Sequence, residues 1–361
     1  MNKKKAKETL SPADQIRSYL KDNKKHHFND DVEHNYTVSS GSLMLDLEMS
    51  GGIGPSIIRA TGVSEGGKTS CALSFARNFQ KTVKNAFVFY IKAEGRLSED
   101  MIKRSGIDTD KNKFFIFKTN IYETVLDSIR NLIVDNPQDT RYFFVIDSMD
   151  ALVPVNDIDR PFSESDKVAG GSVLASNFLK KMALPLTSKG HICFVISQVR
   201  STVKVNQYEK SEPKLTNASG GNALIHYADW ILEFQKRNSI DLIPSRSKEP
   251  EGHWCKISFC KSTNEKSGIQ IKYPIKYGRT NGRSIWVEYE IVSLLKMFDM
   301  IKPSGAWISV EKSFLEELDS KGFQIPEKIQ GEDAFKKILE ENVGLTEYLF
   351  EKFKKALKTS P

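Results

Sequence analysis

Ser56-Ile57-Ile58-Arg59-Ala60-Thr61-Gly62-Val63-Ser64-Glu65-Gly66-Gly67-Lys68-Thr69-Ser70 is the stretch on which the reading of this chain turns. Ser56 to Ala60 is a β-rich run, Gly62 to Thr69 fits G-x-x-x-x-G-K-[ST], and helical spacing resumes from Cys71 to Phe79. Strand, glycine-rich turn and helix in that order form an anion cradle. The glycines let successive backbone N–H groups point at phosphate oxygens, and the helix N-terminus adds its positive dipole end. Lys68 then reaches the β and γ phosphates while the Thr69 hydroxyl ligates Mg2+. Gly62, Val63, Ser64, Glu65, Gly66, Gly67, Lys68, Thr69 and Ser70 are thus the candidate nucleotide contacts.

Outward from this loop, Ala86 to Ile91, Phe114 to Phe117, Tyr142 to Ile146, His191 to Ile196 and Ala228 to Phe234 are further β-rich runs separated by helical segments. Continuous apolar strands alternating with helices predict an α/β fold, with a mainly parallel twisted sheet covered on both faces. The strand Tyr142 to Ile146 ends in Asp147. A carboxylate at that edge faces the phosphates and can hold Mg2+ or its water, although Asp also ends strands as a turn residue. Glu94, directly after the strand Phe87 to Ile91, stands where a water-orienting residue would lie beside the γ-phosphate, and where an ordinary solvated strand-end Glu would lie too.

Composition bounds the remainder. The 361 residues suggest two domains at about 150 residues each, and 39% hydrophobic content suffices for a core. No apolar run reaches the roughly 18 residues of a membrane span, and no signal-peptide pattern follows the basic N-terminus, so a cytoplasmic protein is expected. Cys71, Cys193, Cys255 and Cys260 lack zinc spacing and read as reduced thiols. Net charge +7 is a lean, concentrated at the ends: residues 1–27 carry eight Lys or Arg against three acids. Solvated tails explain that as well as a nucleic-acid partner does.

Ser11-Pro12 predicts a helix over about 12 to 24, with Ile16, Tyr19 and Leu20 on one face. Polar segments at about 155–167 and 199–219 each follow a strand end, and loops of that length are usually functional or disordered. Composition turns to Leu, Glu and Lys with helical periodicity from about 284. Expected domains are 1–35, an N-terminal basic segment and helix; 36–280, the core; and 281–361, a small C-terminal α/β domain.

Several of these pieces, weak singly, occur in one order: Ser40-Gly41-Ser42-Leu43-Met44-Leu45-Asp46, the loop at 62–69, Ala93-Glu94, Ile146-Asp147-Ser148, Ser197-Gln198-Val199-Arg200, Gly220-Gly221-Asn222-Ala223-Leu224 and Gly305-Ala306-Trp307. Together they resemble the RecA family of homologous-recombination ATPases over roughly residues 36 to 310. The resemblance implies a RecA-like P-loop ATPase core using ATP and Mg2+, a filament on single-stranded DNA, and pairing with homologous duplex DNA. It implies that Glu94 activates water and that Gln198 contacts the γ-phosphate. It implies that 155–167 and 199–219 are the two DNA-binding loops and that the helix near 12–24 serves polymerisation. Within the second loop and its far end, the resemblance makes Arg200, Val203, Lys204, Lys210, Lys214, Ser219, Gly220, Gly221 and Asn222 the DNA contacts; a surface loop with merely solvated lysines is the plainer reading.

In that family a lysine acts across the subunit interface, and Lys261 or else Lys266 fits that place. Thr263 stands where a second lysine is expected, Met101 where a tyrosine often stacks on adenine, and His226 where an aromatic lines the interface. These departures suggest a phage-type, UvsX-like member. A ring-forming RecA-fold hexameric helicase and a non-hydrolysing recombination mediator or clamp are the alternatives. A loader or single-strand binding protein is a further expected partner.

Overall fold

In a computed structural model, residues 11–22, 34–95, 97–161, 170–198, 221–245 and 249–359 are described. The elements run α1 (Pro12–Asp22), α2 (Leu43–Glu48), β1 (Ser56–Gly62), α3 (Lys68–Thr82), β2 (Ala86–Lys92), α4 (Glu99–Ser105), β3 (Phe114–Lys118), α5 (Tyr122–Val134), β4 (Arg141–Asp147), α6 (Val155–Ile158), α7 (Gly170–Ser188), β5 (Ile192–Ile196), α8 (Gly221–Tyr227) and β6 (Trp230–Phe234). Then follow β7 (Leu242–Ile243), β8 (Gly252–Lys261), β9 (Gln270–Lys276), α9 (Val287–Met297), β10 (Ile301–Ser304), β11 (Trp307–Val310), α10 (Lys312–Ser320), β12 (Lys328–Gln330), α11 (Gly331–Glu341) and α12 (Val343–Thr359).

One sheet carries the order β3-β2-β4-β5-β1-β6-β8-β7, with β9 beside β8. The pairings from β3 to β6 are parallel, and those made by β8 are antiparallel. The apolar runs lack alternation because both faces are covered. On β4, Phe143 and Val145 pack with Phe75 and Phe79 of α3, while Phe144 and Ile146 pack with residues of α5 and α7. All seven residues of β1 are buried. Helix α4 starts at Ser98, whose side chain accepts the Met101 N–H, and stops at Gly106 in the left-handed region. A separate core joins α9 to α12 with the three-stranded antiparallel sheet β10-β11-β12, and Leu43 of α2 inserts into it.

The predicted mainly parallel sheet with helices on both faces is present, and its edges differ in detail from the sequence reading. β5 starts at Ile192 because His191 closes α7 through its N–H to the Leu186 carbonyl. β6 starts at Trp230 because the Ala228 N–H still bonds Leu224 at the end of α8. The polar segment after residue 154 opens with α6, where Glu123 accepts the Val155 N–H at 2.9 Å. Helix α1 is described over Pro12–Asp22, the expected positions 23 and 24 lying outside the described residues, and none of its residues is buried; Ile16 and Tyr19 are 60% and 66% exposed. Among the described residues no helix is long and apolar enough to cross a membrane.

Candidate nucleotide site

Four parallel strands, β1, β2, β4 and β5, bring their C-terminal ends to one edge of the sheet, with the chain crossing from β1 to β2 over β4 and β5. Such an edge is where open α/β sheets bind ligands. The loop at 62–69 turns there because Gly62 and Gly67 take φ of +127° and +107°. At Gly62 a Cβ would stand 2.2 Å from the Phe234 carbonyl oxygen, and at Gly67 it would stand 3.2 Å from Cys255 Sγ. Glycine is therefore required at 62 on two counts. Lys68, largely buried, donates from Nζ to the Gly62 carbonyl at 2.9 Å and to the Val63 carbonyl at 2.6 Å. Its ammonium is thus held inside the loop, where phosphate oxygens would meet it.

The Thr69 hydroxyl donates to Asp147 Oδ2 at 3.0 Å, and the Tyr90 hydroxyl donates to the same oxygen at 2.5 Å. Burial pushes the Asp147 carboxyl above the usual carboxylate range, against those two bonds, and the Glu94 charge pushes the same way. One hydroxyl and one partly buried carboxylate suit Mg2+, which would keep waters and phosphate oxygens as its other ligands. Among the described residues no group of three His, Cys, Asp or Glu forms a metal cage, so any divalent ion here leans on the nucleotide. Thr69 and Asp147 would hold it.

Glu94 follows β2 directly, and its N–H donates to the Asp147 carbonyl at 3.2 Å. Its Oε1 accepts from the Ser148 hydroxyl at 2.5 Å and from Gln198 Nε2 at 3.2 Å. Gln198 in turn donates its backbone N–H to Asp150 Oδ2 at 2.6 Å. Three candidate residues from three strand ends, Glu94, Asp147 and Gln198, therefore meet beside Lys68 and Thr69.

Met101 lines a cavity of about 340 Å3 that opens against Gly67 and Ser70, with Arg104, Arg237, His253 and Tyr277 on its other walls. The His253 and Tyr277 rings lie 5.4 Å apart. Sequence reasoning found Met101 and missed the rest, which come from α4 (Arg104), the segment after β6 (Arg237), β8 (His253) and the turn after β9 (Tyr277). It also missed Tyr90, Ser148 and Asp150. Ser148 and Asp150, one and three residues after Asp147, carried a faint signal as polar groups beyond an apolar strand.

Other candidates fall elsewhere. Lys261 Nζ donates to the carbonyls of Ile225 and His226 at 3.1 and 2.8 Å, closing the end of α8 away from Glu94 of its own chain. Lys266 pairs with Glu48 at 2.9 Å. Arg200, Val203, Lys204, Lys210, Lys214, Ser219 and Gly220 lie outside the described residues, as do 162–167 of the first expected loop. Gly221 and Asn222 open the backbone of α8.

A glycine-rich loop between the central parallel strand and its helix, with an acid at the end of β4, defines the P-loop class of nucleotide-binding α/β folds. The comparison with protein families narrows the class: the model of the RecA N-terminal domain matches residues 17–279. Protein RecA of Campylobacter fetus subsp. fetus is 28% identical over 320 residues, covering 88% of this chain and 83% of that protein. Protein RecA of Porphyromonas gingivalis is 28% identical over 329 residues, covering 91% and 87%, and that of Bifidobacterium breve is 26% identical over 325 residues, covering 90% and 74%. The chain belongs to the RecA family.

Proposed function

We propose that this chain is a DNA-dependent ATPase of homologous recombination, which assembles with ATP and Mg2+ on single-stranded DNA and carries out homologous pairing and strand exchange. One observation carries the reading: Gln198, the last described residue before 199–220, is bonded to Glu94 at 3.2 Å. The group that feels the γ-phosphate thereby adjoins the segment assigned to DNA, so nucleotide state and DNA grip can be linked.

In this reading Lys68 and the loop N–H groups bind and orient the triphosphate. Bound Mg2+, held by Thr69 and Asp147, supplies charge neutralisation at the phosphates. Glu94 accepts a proton from the attacking water, and the Ser148 hydroxyl and the Gln198 amide fix the carboxylate that does so. Lys261 is assigned to the phosphates of a neighbouring copy. The exposed apolar face of α1 is assigned to contact between copies. Met101, His226 and Thr263 depart from the bacterial pattern, and we read the chain as a phage-type, UvsX-like member working in a host cytoplasm, with a loader or single-strand binding protein beside it.

The test is ATP turnover with and without long single-stranded DNA, for the native chain and Glu94→Gln, with electron microscopy of the same samples. Expected are open helical filaments and a DNA-stimulated turnover that Glu94→Gln lowers by at least about a hundredfold. Closed rings would make the chain a helicase, and binding without turnover would make it a clamp.

A further inference from the structure

Behind the phosphate edge lies a charged cluster to which the mechanism above gives no role. Arg59 sits in the middle of β1, and strand alternation fixes its face: Ile58 and Ala60 pack with α3, whereas Ile57 packs on the opposite side among residues of α5 and α7. Arg59 follows Ile57 and is fully buried. Its Nε donates to the Ser197 hydroxyl at 3.0 Å, and its two terminal nitrogens have no hydrogen-bond partner among the described residues. The charge of Asp150 works against the burial that disfavours the guanidinium.

Asp150 lies in the turn Met149–Ala151 after β4, and it accepts the Gln198 N–H at 2.6 Å. Ser197 and Gln198 are therefore gripped in succession, the first by Arg59 and the second by Asp150. The Gln198 side chain then bonds Glu94. A buried cation with incomplete hydrogen bonding is expensive, and an apolar side chain of similar volume commonly serves stability as well or better. The cluster is thus poorly explained as a fold-stabilising device, and its hydrogen bonds to Ser197 and Gln198 meet on one peptide.

We propose that Arg59 and Asp150 are positioning residues that hold the Ser197–Gln198 peptide so that the Gln198 amide reaches Glu94, and that this clamp sets how strongly DNA accelerates turnover. The inference rests on the function proposed above. Neither residue belongs to the glycine-rich loop at 62–69. Asp150 acts through the backbone of Gln198, and Arg59 acts through Ser197 and through the charge of Asp150. The clamp leaves the loop at 62–69 and the cavity beside Met101 untouched.

The clamp predicts a split between kinetic constants. Asp150→Asn keeps the shape of the side chain and removes its charge, so the strong acceptor for the Gln198 N–H is lost. Turnover with single-stranded DNA should fall about tenfold or more while KM for ATP changes by less than about threefold. Arg59→Met should show the same split with an unfolding midpoint in urea no lower than native, and Arg59→Lys should restore part of the turnover. The double variant should be no slower than the slower single variant, because both act on one peptide.

Native turnover in Asp150→Asn would overturn the inference, as would a loss of kcat matched by a rise in KM or by a lowered unfolding midpoint. Should Arg59→Met fail to fold, Asp150→Asn and Arg59→Lys decide the matter alone. A native chain without DNA stimulation would sink the recombination reading separately. The clamp is then judged on basal turnover, which Asp150→Asn must still lower.

Discussion

Replacing Glu290 by Gln tests a buried carboxyl at the joint between the large sheet and the C-terminal helices. Glu290, on α9, has no exposed surface, and it accepts the Ser42 hydroxyl at 2.5 Å and the Leu43 N–H at 2.8 Å, closing the first turn of α2. Burial pushes its carboxyl up to about 8, opposed by the bonds from Ser42 and Leu43 and assisted by the charge of Asp46. Asp46 is itself fully buried and pushed up to about 6 by the same cause, despite bonds from Ser39 and Ser40. A carboxyl whose folded value lies above its unfolded one of 4.5 contributes stability that is whole below the unfolded value and is lost as pH rises toward about 8. Glutamine keeps the shape and one acceptor but does not titrate. Near pH 5 the variant should be less stable than the native chain by about 1 kcal/mol, from the acceptor it lacks. The difference should then shift in the variant's favour by at most about 1.4 kcal/mol per pH unit, or about 3 kcal/mol between pH 5 and 7.5, reversing the order. Urea unfolding at three pH values in that window, followed by tryptophan fluorescence, measures it; Trp286 lies at the start of the same helix. Taking the difference cancels other titrating groups, among them His191, which burial pushes down to about 3. Native and variant midpoints that run parallel with pH would refute the argument, since Glu290 would then titrate alike in both states.

Gly62→Ala should cost about 4 kcal/mol or more, or prevent folding, because a φ of +127° combines with a backbone oxygen 2.2 Å from the new carbon. Gly268→Ala, at φ +89° with nothing within 4 Å, should cost only about 1 kcal/mol, and equal urea midpoints for the two would contradict the steric account. Trp286 lies between Lys276 Nζ at 4.4 Å and Lys336 Nζ at 4.7 Å and donates from Nε1 to Glu340 at 2.9 Å. Trp286→Ala should lower stability by about 3 to 5 kcal/mol in calorimetry, with the C-terminal helices released first; an unchanged scan would refute the role.

Much of the parallel sheet was legible because burial on both faces leaves unbroken apolar runs, as in Tyr142 to Ile146. The loop at 62–69 was legible because phosphate binding demands particular residues at fixed spacing. The acids Glu94 and Asp147 were visible as strand-end carboxylates, yet spacing alone could not set Glu94 apart from a solvated residue. Tyr90, Ser148 and Asp150 stayed hidden since strand and turn readings already account for a tyrosine, a serine and an aspartate there. Arg237, His253 and Tyr277 were invisible for another reason: they reach Gly67 from more than 160 positions away, with no periodicity linking them to it. The antiparallel strands β7 and β9 were missed as well, β7 because it has only two residues and β9 because its seven mix polar with apolar side chains.

The place of β1 in the sheet also bears on how the chain acquires its site in time. Its two neighbours are β5 and β6, so Ser56 pairs with Ile192, and Ile58 with Trp230. Both pairings close loops of more than 130 residues, and contacts of such long range form late and slowly. A nascent chain that has reached only residue 190 holds the whole glycine-rich loop but neither strand that supports it. The phosphate cradle is then a last product of folding, and nucleotide binding by mass action rewards only the chain that has closed the entire sheet.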